Sequence, residues 1–173
     1  MRVLLTKVGV CEPVTQEEAM ARQIKLASYW AIWDTGATHS AITKRVADEL
    51  GLKPTGVVEV RYGNGKALTN TYLVNIAPPN RVMVGQVRVT EAQLIPDDNV
   101  SDDKQPQLLI GMDIIGMGDF AVTNVNEKTT LSFRVPSVKE IDFIPEAESH
   151  NIDATGANRH ERRAMKAQLR KRR

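Results

Sequence analysis

The sequence has few of the residues that build metal sites and disulfide frameworks, and it lacks a long apolar run. Its 173 residues include one cysteine, Cys11, and three histidines. A single cysteine excludes an intramolecular disulfide and a cysteine-rich zinc module, and the histidines lack the spacing of a metal-binding helix. The best apolar run, residues 108–115, is interrupted by Asp113 and is shorter than the roughly 18 residues that a membrane-spanning helix needs. We therefore expect a soluble, cytoplasmic protein that uses no metal, cofactor or membrane.

Charge is divided unevenly along the chain. Net charge is +2, but residues 151–173 carry eight basic and two acidic residues, which leaves 15 basic and 19 acidic residues in the body. Strong helix formers follow Asn158, and Asn158 with Glu161 fits an N-terminal capping pair. We expect a linker over residues 145–157 and a basic helical tail over residues 158–173. Weak contact with nucleic acid, contact with another acidic partner, and a solvated helix all remain open for this tail.

The body of the chain is predicted to be mostly β. Short runs rich in β-branched residues are separated by Gly, Pro, Asn and Asp, as is typical of strands. These runs cover residues 57–62, 71–76, 82–89 and 129–135. The Gly-Asn-Gly sequence at 63–65 predicts a β-hairpin, because tight hairpin turns need the positive φ values that Gly and Asn tolerate. One helix is predicted over residues 43–50, with Thr43 as N-cap and Gly51 at its end.

The most informative stretch is residues 31–40, in which an apolar strand runs directly into Asp34. This pattern places an acid at the end of a buried strand, and Gly36 lets the turn close with backbone N–H groups near that acid. Asp and Gly also favour ordinary turns, so the motif alone is not specific. A second apolar run ends at Gly111, and Asp113 after it is expected to cap the short helix that follows.

Three elements occur in a characteristic order along the chain: Asp34-Thr35-Gly36-Ala37 with Ser40 after it, the hairpin turn Gly63-Asn64-Gly65, and Leu109-Ile110-Gly111. This order resembles the retroviral-type aspartic peptidases, the retropepsins and their small bacterial and cellular relatives, over residues 27–136. The resemblance implies a small closed β-barrel of the acid-protease type with one or two short helices. It assigns residues 27–144 to the peptidase domain and residues 1–26 to an N-terminal strand and variable segment.

The resemblance also implies an aspartic endopeptidase that hydrolyses a protein or peptide substrate. Since the chain has one Asp-Thr-Gly, the active site would require a homodimer in which two copies of Asp34 share a water and one proton. The roles implied for the remaining residues are loop support by Thr35, Gly36, Ala37 and Ser40, a flap at Gly63, Asn64 and Gly65, and a barrel motif at Leu109, Ile110 and Gly111. The alternative function is a non-catalytic β-barrel interaction module whose tail binds nucleic acid.

Two residues depart from the retropepsin pattern. Trp33 precedes the aspartate where an aliphatic residue is commoner, and His39 lies where many relatives have a short polar or acidic residue. For His39, a solvent-facing loop position and an influence on pH profile or substrate choice are both open. The terminal strands that retroviral enzymes interleave to form their dimer are not evident in the sequence.

Overall fold

The structure is a computed structural model that describes residues 3–15, 17–18, 21, 24–62, 65–80, 82–96, 100–148 and 159–171. Within these residues the strands are β1 Leu5–Cys11, β2 Ala27–Trp33, β3 Ala41–Ile42, β4 Gly56–Tyr62, β5 Gly65–Ala77, β6 Val84–Glu91, β7 Pro106–Ile110, β8 Asp119–Val125 and β9 Lys128–Arg134. The helices include α1 Lys44–Glu49, α2 Met112–Ile115 and α3 Arg159–Lys171. In the described part of the chain, no helix is long and apolar enough to span a bilayer.

Six strands of the first compact unit, Met1–Val138, close into a barrel. Their order is β1–β2–β7–β3–β6–β5, and β1 completes the ring by pairing with β5 from Gly9 opposite Ala77 to Cys11 opposite Asn75. Strand β4 extends the sheet beyond β5 as the outer arm of a hairpin. The predicted acid-protease-type barrel is therefore confirmed. The N-terminal strand β1 is one of its six members.

The core of the barrel follows from the alternation of side chains along its strands. In β2, Tyr29, Ala31 and Trp33 are buried, whereas the residues between them are less so. Successive side chains of a strand point to opposite faces, so every second residue enters the barrel interior. Val, Ile and Leu side chains from β1, β5, β6 and β7 fill the same cluster. Burying each of these stabilises the fold by about 1.5–3 kcal/mol relative to exposure.

Helix α1 forms where the sequence predicts it, but the Thr43 side chain does not cap it. Thr43 occupies the N-cap position, yet its hydroxyl donates to Gln107 Oε1 (2.6 Å) and makes no capping bond. Gly51 ends the helix as predicted, because its φ of +62° is a left-handed conformation that glycine adopts easily. The N–H groups of Gly51 and Leu52 donate to carbonyls of the last turn at 3.1 and 2.9 Å. The end of α1 is therefore fixed by the backbone.

The predicted hairpin forms between β4 and β5, where Tyr62 pairs with Gly65. Gly63 and Asn64 lie outside the described residues. Strand β5 begins at Gly65, earlier than the predicted residue 71, because residues 66–70 pair with β4 without burying an apolar face; Ala67 and Leu68 within them are exposed. The predicted runs at 82–89 and 129–135 correspond to β6 and β9, which are shifted by one or two residues.

The second unit, Lys139–Arg173, contains helix α3. The predicted helical tail is confirmed over Arg159–Lys171, and its expected N-cap, Asn158, lies outside the described residues. Arg159, Arg162 and Arg163 are spaced at i, i+3 and i+4, so they share one side of the helix.

Candidate active site

The site is built where β7 lies between β2 and β3. Strand β2 runs parallel to β7, with Trp33 opposite Ile110, and β3 runs antiparallel to it, with Ala41 opposite Leu109. The chain leaves β2 at Asp34 and returns on the other side of β7. The connecting loop, residues 34–40, must therefore cross the end of β7, where Gly111 lies.

Backbone hydrogen bonds fasten this crossing. The N–H of Asp34 donates to the Ile110 carbonyl at 2.9 Å, and the Ala37 carbonyl accepts from the Met112 N–H at 2.8 Å. A Cβ atom on Gly111 would lie 2.7 Å from the carbonyl carbon of His39, closer than real Cβ contacts allow. Glycine is needed here for space, since its φ of −97° is accessible to any residue. The predicted barrel motif thus supports the loop that carries Asp34.

Ser40 and Asp113 form the polar centre of the crossing. Ser40 is fully buried; its hydroxyl donates to Asp113 Oδ1 at 2.7 Å, and its N–H donates to Asp113 Oδ2 at 2.9 Å. The Ser40 hydroxyl also accepts from the Gly111 N–H at 3.0 Å. The N–H and the hydroxyl of Ser40 are therefore both hydrogen-bonded, as burial requires.

The prediction that Asp113 caps helix α2 holds only in part: Asp113 is not the N-cap residue, but its Oδ1 accepts from the Ile114 N–H at 3.0 Å. Gly111 occupies the N-cap position and, as a glycine, offers no side-chain capping bond. Asp113 lies in the first turn, and its carboxylate is directed to Ser40, 73 positions earlier in the sequence. Sequence reasoning missed this residue because the pairing is not local. The available signal was an acid placed inside an otherwise apolar run, which must find a partner when it is buried.

The Asp34 carboxylate has fewer hydrogen bonds than the Asp113 carboxylate. Its carboxylate is half-buried, and Oδ1 accepts one hydrogen bond, at 2.8 Å, from the Gly36 N–H. Thr35 and Gly36 are exposed. Within the described residues, Gly36 supplies the only hydrogen bond to this carboxylate that the structure records. The arrangement holds an acid at a fixed position and leaves it accessible to water, substrate or another carboxylate.

The strand end before Asp34 is fixed by aromatic packing. Trp33 is buried, its Nε1 donates to Thr6 Oγ1 at 2.8 Å, and its ring stacks on Phe120 with 5.7 Å between centroids. Phe133 packs against the same ring at 5.0 Å. These two phenylalanines come from the β8–β9 hairpin. The hairpin thus supplies a partner surface that accounts for a large aromatic residue at position 33.

The structure brings most of the predicted site residues together. These are Asp34, Thr35, Gly36, Ala37, Ser40, Leu109, Ile110 and Gly111. Gly65 begins β5, whereas the other flap residues, Gly63 and Asn64, are outside the described part. Their predicted roles in catalysis and closure remain predictions. Within the described ranges, no group of three or more His, Cys, Asp or Glu side chains is arranged to hold a metal ion.

Comparison with known proteins agrees with this architecture. The sequence profile of a family described as Aspartyl protease matches residues 23–114, more than half of the chain. The chain therefore belongs to the aspartyl protease family, and the predicted enzyme class, an aspartic-type endopeptidase acting on peptide substrates, is confirmed.

Several solved structures are similar to the chain. The solution structure of simian foamy virus (mac) protease has 14% identity and a TM-score of 0.41, covering 65% of this chain and 92% of that one. A retropepsin-like aspartic protease from Rickettsia conorii has 15% identity and a TM-score of 0.39, with 76% and 93% covered. The foamy viral protease–reverse transcriptase in complex with an RNA/DNA hybrid has 17% identity and a TM-score of 0.43, with 98% and 17% covered. No curated protein matches the chain.

Proposed function

We propose that the chain acts as a homodimeric aspartic endopeptidase in which Asp34 of each copy contributes one half of a catalytic pair. The observation that carries this proposal is the difference in hydrogen bonding between the two carboxylates of the site, Asp34 and Asp113. Asp113 has both oxygens occupied by Ser40, whereas Asp34 receives a single N–H and is open to its surroundings. The chain contains one Asp-Thr-Gly. A second copy is therefore the source of the second catalytic acid.

The chemistry follows from bringing two such carboxylates close together. Two like charges separated by a few ångströms do not both ionise, so the pair holds one proton and titrates as a unit. The ionised carboxylate accepts a proton from a water between them, and the resulting nucleophile attacks the scissile carbonyl carbon. The protonated carboxylate donates to the carbonyl oxygen. Water is added across the peptide bond, and no covalent enzyme intermediate forms.

The exposed loop makes this pairing physically reasonable. Thr35 and Gly36 lie at the surface beside Asp34, so a second copy has access to the loop without unfolding the barrel. The hydrogen bonds among Ser40, Asp113 and Gly111 hold the C-terminal end of the loop in place. Such preorganisation lowers the cost of placing the reacting groups correctly.

The test of the catalytic residue is the variant Asp34→Asn. Asparagine keeps the size of the side chain but does not act as a carboxylate base, so cleavage of a peptide library should fall by at least about a thousandfold. Asp48→Asn, on the exposed side of α1, is the matched control and should leave cleavage within about twofold of wild type, because exposed substitutions away from a site have small effects. Equal activity of Asp34→Asn and wild type would overturn the assignment.

The test of a shared site is a mixing experiment at constant total protein. When wild type and Asp34→Asn are mixed in equal amounts and exchange freely, about one quarter of the dimers carry two intact acids. Activity should then fall to about one quarter of the wild-type value, against about one half if each chain works alone. A linear decrease with the fraction of wild type would contradict the shared site.

We also propose that helix α3 makes a weak, sequence-independent contact with nucleic acid. Arg159, Arg162 and Arg163 place three guanidinium groups on one side of the helix, a spacing suited to backbone phosphates. Changing all three to Gln should reduce retention of a labelled DNA duplex at low salt, while peptide cleavage continues. Unchanged retention by this triple variant would contradict the contact.

A further inference from the structure

A small cavity adjoins the loop that carries Asp34. It has a volume of about 180 Å³ and is lined by His39, Val58, Thr71, Arg88 and Thr90. One water occupies roughly 30 Å³ of liquid, so a side chain of five heavy atoms fits this space. The lining combines one apolar wall, two threonine side chains and two nitrogen-rich side chains. The cavity therefore offers both apolar contact and hydrogen-bond donors to a bound side chain.

The cavity is tied to the active-site loop by its residues. His39 belongs to the loop itself, and the N–H of Thr90 donates to the Ser40 carbonyl at 3.2 Å. Val58 and Thr71 come from β4 and β5, the hairpin predicted to close over substrate. A peptide that binds as an added strand between loop and hairpin directs alternate side chains into such pockets. The cavity thus lies where a substrate side chain is expected.

Arg88 is the residue of this cavity that is most available to bind an acidic group. Its neighbours in β6, Val87 and Val89, are buried in the core, so alternation directs Arg88 to the outer face of the barrel. The side chain is exposed, and the structure records no ion pair or side-chain hydrogen bond for it within the described residues. A guanidinium carries five N–H donors, stays charged at all relevant pH values and matches a carboxylate in shape.

One acidic side chain lines a second cavity together with Arg88. A second cavity, of about 300 Å³, shares His39 and Arg88 and is also lined by Asp113. The Asp113 carboxylate already accepts hydrogen bonds from the N–H and the hydroxyl of Ser40. It is therefore committed to the loop, and the guanidinium of Arg88 remains available to a ligand.

We propose that this cavity is a substrate subsite in which Arg88 selects a carboxylate side chain, Glu or Asp, in the peptide to be cleaved. The inference rests on the proposed function and adds substrate preference to it. Val58 contacts the methylene groups of the substrate side chain, and Arg88 pairs with its carboxylate. In a symmetric dimer the subsite occurs twice, so the preference should appear at equal distances on both sides of the scissile bond.

The experiment uses matched peptide sets in which Glu, Gln and Lys are exchanged at each position around the cleaved bond. For wild type, kcat/KM at one such position should be about three- to tenfold higher with Glu than with Gln, as expected for a charge-assisted contact that is partly open to solvent. Arg88→Met should abolish this difference, and Arg88→Glu should reverse it in favour of Lys. Lys53→Glu, an exposed residue outside the cavity, changes net charge equally and should keep the wild-type preference.

The outcomes separate this inference from the proposed function. Cleavage by wild type without any preference for Glu would overturn the subsite and leave the peptidase intact. A preference for Glu that persists in folded Arg88→Met and Arg88→Glu, checked by their melting temperatures, would also overturn the role of Arg88. Failure to cleave every peptide at any protein concentration would overturn the proposed function, and the subsite with it.

Discussion

Replacing Gly111 by alanine tests the crossing of the active-site loop over β7. A Cβ atom at this position would lie 2.7 Å from the carbonyl carbon of His39, 2.8 Å from its oxygen and 2.9 Å from the Ala37 carbonyl oxygen. Ordinary contacts begin near 3.4 Å, so these three atoms must move by about 0.5–0.7 Å. All of them are backbone atoms, which have no rotamer to change. The loop itself must therefore shift.

The size of the effect follows from two contributions. Overpacking a rigid site costs about 1–3 kcal/mol, and the absence of a flexible side chain places Gly111→Ala near the upper end. A shift of the Ala37 carbonyl also weakens its 2.8 Å hydrogen bond from Met112, which adds about 1 kcal/mol. A total loss of about 4 kcal/mol lowers the melting temperature of a chain of this size by about 8–16 °C. Catalysis should fall as well, because the same loop carries Asp34.

The assay combines thermal unfolding with kcat/KM on a cleaved peptide, and Gly85→Ala is the control for stability. A Cβ atom at Gly85 would meet its nearest neighbour, Asn75 Oδ1, at 3.6 Å, an ordinary contact. This control should melt within about 2 °C of wild type, because uncrowded surface substitutions change stability little. If Gly111→Ala melts and cleaves like wild type, the loop does not need the close approach and the argument fails.

Two further predictions concern paired carboxylates. Asp113→Ala and Ser40→Ala should each lower the free energy of unfolding by about 2–3 kcal/mol. Because both substitutions break the same buried network, the loss in the double variant should be smaller than the sum of the two single losses by at least about 1 kcal/mol. Additive losses in urea unfolding would show that the two residues act independently. The third prediction concerns Asp119, whose pKa is held well below its usual range by hydrogen bonds from Ser137, from Arg134 and from the Val138 N–H. A lowered native pKa gives stability that is present above the ordinary value of about 3.9 and is lost as pH falls toward the native value. Asp119→Asn should therefore melt below wild type at pH 7 and approach it between about pH 4 and pH 2; a constant difference in melting temperature down to pH 2 would contradict this.

Local signals in the sequence predicted the parts of the fold that depend on neighbouring residues. The hairpin at 63–65 was predictable because its turn residues lie side by side, and the end of α1 because Gly51 is a standard stop. The motif at Asp34 was predictable because an apolar strand leads directly into it. These elements need no knowledge of distant contacts.

The remaining features depend on contacts between distant segments. The ring closes through β1 and β5, more than 60 positions apart, and no pattern within residues 5–11 specifies that partner. The local pattern predicts the bond of Asp113 to helix α2, but it does not reveal the second partner, Ser40, which lies 73 positions earlier. Trp33 departs from the family pattern, and the reason lies in its packing against Phe120 and Phe133, which are distant in sequence. Periodicity alone does not reveal such pairings.

The place of β7 between β2 and β3 has a consequence for the timing of activity during synthesis. A nascent chain that ends before residue 106 already contains Asp34 and both arms of the hairpin, but it lacks the strand on which the Asp34 loop rests. Domains emerge from the ribosome N-terminal end first, so the acid appears long before its support. We therefore expect an unfinished chain of this length to be inactive, and hydrolysis to begin only after β7 has been synthesised.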